Sequence, residues 1–164
     1  MKKWLFAFFL LLLGVDVISK MAALELVPPI RWLSAYPFGG IGLFQFGSVT
    51  FSLNFVTNTG AAWGVFAEYS GFLFAARLVI ISSLAIFLLF FNKGKISAFP
   101  MWFVLTGAVG NAIDYWIYGH VIDFFHFTFW GWSFPVFNMA DFYITLGAIG
   151  FLLSTRSKQA VSAP

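Results

Sequence analysis

Four stretches of this chain are long and apolar enough to cross a hydrocarbon core, which takes roughly 17–25 helical residues. They run from about Trp4 to Val27, Phe72 to Phe91, Ala98 to Tyr118, and Met139 to between Leu153 and Thr155. The second of them, FLFAARLVIISSLAIFLLFF, is a typical instance. Runs of this kind fix the broad class before any motif is weighed: a membrane protein, all-α apart from a small β element. Composition agrees, because 61% of the 164 residues are hydrophobic and 9% are charged. A soluble domain averages about 45–50% apolar and about 25% charged. Once four spans are counted no room is left for a second domain, so residues 1–164 are read as one membrane-embedded unit.

Several function classes drop out on charge and residue usage. The formal charge is +3 and the basic residues are scattered, which leaves no nucleic-acid footprint. Cys is absent, so there are no disulfides, thiolate metal sites or cysteine nucleophiles. The two histidines, His120 and His126, stand outside any HExxH helix. Neither a metal nor a cofactor is expected.

The first run, with Lys2 and Lys3 ahead of it, resembles a signal peptide. The segment VISKMAALE carries Lys20 and Glu25 where a small-x-small cleavage site would stand, so it is read as a retained helix. Lys2 and Lys3, Lys93 and Lys95, and Arg156 and Lys158 flank the spans on one side, whereas the other two connections contribute Arg31. The positive-inside bias then sets both termini and the NKGKIS loop in the cytoplasm, and the long connections outside. In the first outer connection, Val49, Phe51, Leu53 and Phe55 alternate with Ser48, Thr50, Ser52 and Asn54. That period of two predicts a half-buried strand. It can pair with Ile41–Phe46 across Gly47-Ser48 as a hairpin, with its apolar face toward the membrane surface or a lipid chain. The whole cradle is expected over about residues 41–66.

With this topology drawn, the awkward polar residues share one end. Asp123 and Asp141 flank the second outer connection, and Asn138 stands three residues before Asp141. Gly107, Asn111 and Asp114 are spaced by four and then three, so they form a stripe on one helix face. Asp16 and Lys20 lie four apart in the first helix, and Asn58 sits in the outer turn. From the residues alone, three readings stand: a catalytic carboxylate pair at Asp123 and Asp141, a proton or ion pathway through Asp114 and Asp16, or a scaffold with a structural Asp16–Lys20 pair and packing glue on the third helix.

The segments DVISK, NTGAAWGVF, GAVGNAID, GHVIDFF and FPVFNMADFYITLG, in that order, resemble lipoprotein signal peptidase (signal peptidase II), a family of four-helix aspartic proteases of the bacterial plasma membrane. The resemblance implies catalytic aspartates at Asp123 (VIDF) and Asp141 (NMAD). It implies substrate contacts at Asn58, Gly60 and Ala61 in NTGAA, at Gly107 and Asn111 on the third helix, and at Asn138 and Ala140 beside Asp141. Asp16, Lys20 and Asp114 become supports. The implied substrate is a lipid-modified prolipoprotein met within membrane lipid, cleaved by a monomer at the outer face of the inner membrane. One position departs from the pattern: the family commonly reads GNxxDR, with an arginine that contacts substrate, and this chain has Tyr115 there. That exchange removes a fixed charge and a bidentate donor.

Overall fold

The computed structural model describes residues 2–27, 40–59, 70–92 and 98–162. In chain order these form α1 (Lys2–Leu26), β1 (Ile41–Phe46), β2 (Val49–Asn58), α2 (Ser70–Ile86), α3 (Ala98–Tyr118), β3 (Val121–Phe129), β4 (Trp132–Ser133) and α4 (Met139–Ser162). A π-helical turn at Phe87–Phe91 continues α2 to the end of the expected second span. The expected fourth helix is exceeded, since α4 runs on to Ser162.

The apolar residues of α1 and α2 face outward. Lys3–Leu26 and Gly71–Phe91 are each long and apolar enough to cross a membrane, yet only 11% and 6% of their most apolar stretches is buried. The core helix of a water-soluble domain would hide those side chains. Trp4, Leu11 and Ile18 on α1, and Phe72, Val79 and Phe90 on α2, stay exposed, the arrangement that lipid tails reward. The apolar part of α4, Met139–Thr155, is shorter. At the centre is α3, which packs against α1, α2 and α4. Leu88, Trp102 and Leu105 form one core cluster between α2 and α3, joined by Leu5 and Phe9 of α1.

The α3–α4 seam is close because glycine makes it so. A β-carbon on Gly107 would collide with the Ala140 carbonyl oxygen, and one on Gly110 would collide with the Asp16 carboxylate. A larger residue at Gly107 would have to move the backbone of α4, and one at Gly110 would have to displace the Asp16 carboxylate.

The β element is larger than the hairpin that alternation predicts. β1 and β2 pair as expected across Gly47-Ser48, where Gly47 takes φ 57°. β3 and β4 extend the pair to a four-stranded antiparallel sheet in the order β1-β2-β3-β4. The sequence reading left residues 119–138 as a connection, yet the signal was present: Phe125, Phe127 and Phe129 alternate with His126 and Thr128. Cross-strand pairing separates the two faces. Phe51 stands opposite Phe127 and Leu53 opposite Phe125, while Thr50 meets Thr128 and Ser52 meets His126. Ser52, Asn54, His126 and Thr128 are buried, and Phe44 and Phe46 at the sheet edge are exposed. The sheet thus buries its polar face and leaves an aromatic surface, with the Phe51 and Phe127 rings stacked at 4.3 Å. Ile122 and Phe124 at the start of β3 pack on Ala23 and Val27 of α1, which fixes the sheet to the helices.

Candidate active site

Three aspects of local structure bring Asp123 and Asp141 to one place. The hairpin β3–β4 turns the chain back at Trp130-Gly131, both with positive φ. Phe137 then pairs with Phe125: each donates its N–H to the other's carbonyl, at 3.0 Å and 2.7 Å. That bridge delivers Asn138 to the side of Asp123, and α4 starts there.

The NMAD segment caps its own helix. Asn138 is the residue before α4, and its Oδ1 accepts from the Asp141 N–H at 3.0 Å. In return, the Asp141 carboxylate accepts from the Asn138 N–H at 3.2 Å. This reciprocal pattern is a capping box, which satisfies two otherwise orphaned donors. A third donor of that first turn, the Ala140 N–H, is taken by Asp16 Oδ1 of α1 at 2.9 Å. The helix start therefore orders Asp141, and the partial positive charge there suits a carboxylate.

Asparagine side chains connect the two candidate acids. Asn138 Nδ2 donates to Asp123 Oδ1 at 2.7 Å, and lies 3.1 Å from both Asn111 Oδ1 and the Ile122 carbonyl. Asn111 Nδ2 donates to Asp141 Oδ1 at 2.8 Å. Asn58, at the end of β2, donates to Asp123 Oδ2 at 3.0 Å. Beneath this layer lies an ion cluster. Lys20 Nζ donates to Asp16 at 2.9 Å, to Asp114 at 2.8 Å and to Asn111 Oδ1 at 3.1 Å, which uses all three of its protons. Asp114 also accepts the Ile122 N–H at 3.2 Å and so holds the first residues of β3.

Above the asparagines the structure opens. A cavity of about 430 Å³ is lined by Asn58, Arg77, Asn111, Asp123 and Asp141, and by apolar groups that include Phe134, Phe137 and Phe142. Asp123 is 2% exposed. Burial, and next the charge of Asp141, push its pKa up to about 7, against the opposing hydrogen bonds from Asn58 and Asn138. Two carboxyls on one cavity, with one proton between them near neutral pH, can supply an acid and a base in a single step.

The residues picked from sequence separate into three sets. Asn58, Asn111, Asp123 and Asp141 line the cavity. Asn138 lies fully buried just below it. Gly107 and Ala140, which the resemblance set among the substrate contacts, lie in the α3–α4 seam, where Ala140 is 0% exposed. The reason is geometric: both sit on the surfaces by which two helices touch. Gly60 and Ala61 lie outside the described residues. One charged lining residue escaped the sequence reading, namely Arg77 of α2. A guanidinium inside an otherwise apolar span was the signal for it.

Comparison with known proteins gives the family and the fold. A family model described as signal peptidase (SPase) II matches residues 8–156. The chain belongs to that family. Among the relatives of signal peptidase II type, the lipoprotein signal peptidase of Chlamydia caviae is 36% identical over 143 residues, covering 84% of this chain and 82% of that one. That of Chlamydia felis is 41% identical over 112 residues, covering 66% of this chain and 67% of its own length. Two solved structures, each described as a bacterial membrane enzyme, share the fold. One has TM-score 0.78 at 21% identity, covering 98% of this chain and 92% of that chain. The other has TM-score 0.73 at 22% identity, covering 93% and 92%. The chain is a membrane-embedded peptidase by family.

Proposed function

We propose that this protein is an aspartic endopeptidase that removes signal peptides from lipid-modified prolipoproteins, cutting before the diacylglyceryl-bearing cysteine. The observation that carries the reading is that Asp123 and Asp141 open on one cavity while Asn138 contacts both carboxylates. A diacylglyceryl group anchors its cysteine at the membrane surface, so the scissile bond arrives at the depth of that cavity. Four helices span the membrane in this reading, with both termini cytoplasmic and the aromatic face of the sheet along the outer leaflet.

The chemistry follows from one shared proton. Asp141, ionised at the helix start, takes a proton from water as the oxygen attacks the scissile carbonyl carbon. Asp123, which with a pKa near 7 is available in its protonated form at neutral pH, donates to the carbonyl oxygen. A tetrahedral diol forms. Its collapse breaks the C–N bond, returns one proton to Asp123 and passes the proton on Asp141 to the leaving amine. The two titrations belong to the pair, so pH–rate data report macroscopic values. Asn111 and Asn138 orient the carboxylates rather than the substrate.

A proton pathway through Asp16 and Asp114 draws no support from the geometry. Both carboxylates are paired with Lys20, and neither is in the lining of the 430 Å³ cavity that Asp123 and Asp141 share.

The test is cleavage of a synthetic lipobox peptide with a diacylglyceryl cysteine by the purified protein in lipid, with an unlipidated peptide as control. The wild type should cut the lipidated peptide alone. Asp123→Asn and Asp141→Asn should each lose about 10²- to 10⁴-fold in rate, the worth of a general acid or base. Cleavage at the wild-type rate by either variant would sink the proposal.

A further inference from the structure

Arg77 is the eighth residue of α2, about 10 Å along the axis from the helix start at Ser70. A charge at that depth in an apolar helix is costly, and such residues turn toward a cavity and serve a function there. Arg77 does face a cavity, and in fact two. Besides the larger one it lines a second, of about 230 Å³, with Ile80, Ile81, Ala108 and Ile144. Three residues line both spaces: Arg77, Asn111 and Asp141. The two cavities therefore adjoin at a polar junction formed by these three side chains. One has Phe134 and Phe137 in its lining, the other lies between α2, α3 and α4.

At that junction the groups differ in what they offer a ligand. Asn111 has its amide donor on Asp141 and its oxygen under Lys20 and Asn138. Asp141 can only accept when ionised. Arg77 brings a planar guanidinium with five N–H donors and a fixed positive charge. Its direction is set one turn earlier on the same face of α2, where Phe74 stacks on Tyr115 with centroids 4.6 Å apart and planes at 22°. Tyr115 stands where the resembling family commonly places an arginine. Here that position clamps α2 to α3, and α2 carries the cation.

A lipidated cysteine is itself a branch point: a peptide runs one way and two acyl chains run another. Carbonyl oxygens converge there, two from the lipid esters and others from the peptide backbone, and all are acceptors. We propose that Arg77 is a specificity-determining residue, whose guanidinium donates to carbonyl oxygens at this branch point and so sets the scissile bond over Asp123 and Asp141. The assignment rests on the peptidase reading above.

The experiment compares wild type, Arg77→Gln and Arg77→Lys on two lipobox peptides, one with a diacyl ester on the cysteine and one with the matching dialkyl ether, which lacks the ester carbonyls. Equilibrium binding of both peptides is measured beside cleavage. Arg77→Gln should lose about 10- to 100-fold in kcat/KM, mostly through KM, as expected for hydrogen bonds to a charged group. Arg77→Lys should recover part of that loss. A loss confined to the ester peptide assigns the contact to the lipid esters, and an equal loss on both peptides assigns it to the backbone. Unchanged KM and binding in Arg77→Gln on both peptides overturns the proposal. If the wild type binds the peptides without cutting them, the peptidase reading fails, and the binding ratio alone decides the role of Arg77.

Discussion

Two pairs of aspartates lie at the sheet-bearing end of these helices, and the fold treats them in opposite ways. Asp16 and Asp114 face a lysine: Lys20 contacts both, and all three side chains are at most 5% exposed. Asp123 and Asp141 have amides on them instead, from Asn58, Asn111 and Asn138, and they border an open cavity. A lysine between two carboxylates offsets the cost of burying them and ties both into the packing. Amide donors can hold a carboxylate in place while leaving a proton free to come and go. The same residue type thus becomes scaffold or candidate catalyst according to what lies between the members of the pair. Asn111 joins the two levels, since its oxygen accepts a hydrogen bond from Lys20 while its amide nitrogen donates to Asp141.

This contrast can be broken in graded steps. The largest effect is the loss of about 10²- to 10⁴-fold in cleavage for Asp123→Asn or Asp141→Asn, with thermal stability in detergent kept or raised. Next is Lys20→Met, which leaves two buried carboxylates facing each other. It should cost about 3–5 kcal/mol of stability, read from the thermal midpoint, because breaking a buried pair strands its partners. Adding Asp16→Asn and Asp114→Asn to Lys20→Met should recover much of that loss. If Lys20→Met melts like the wild type, the scaffold role is wrong. Smaller again, Asn138→Ala should slow cleavage by about 10- to 100-fold through misplaced carboxylates, with binding of the lipidated peptide little changed. Equal weakening of binding would make Asn138 a substrate contact after all.

The finest test uses pH. Asp123 is lifted from 3.8 to about 7, so the folded protein holds this proton more tightly than the unfolded chain. Its contribution to stability is fully present below pH 3.8 and is lost as pH rises through about 7. For catalysis the acid form is needed, so kcat/KM should fall above about pH 7. Asn58→Ala removes a donor that favours the ionised form, and should move this alkaline limb to higher pH. A shift to lower pH would show that Asn58 acts on the site in another way.

Much of this was legible in the chain. The apolar runs gave the helices, and Ala98–Tyr118 came out residue for residue. Alternation in Val49–Phe55 gave β2 and its turn. β3 was passed over because Asp123 and the doublet Phe124-Phe125 interrupt its period, though FHFTF kept it. Gly107 and Ala140 were motif residues whose task, close packing of α3 on α4, is visible only when both helices are present. Arg77 went unremarked inside its apolar run, since a charge there has meaning only once the cleft it faces is known.

By itself the sequence determined the membrane class, the helices and which carboxylates were worth watching, because hydropathy, helical period and capping are local properties. The tertiary structure decided which aspartates share a lysine and which share a cavity. Those outcomes depend on contacts such as Asp16 with Ala140, 124 positions apart. No pattern along the chain records which side chain will fill the space between two others.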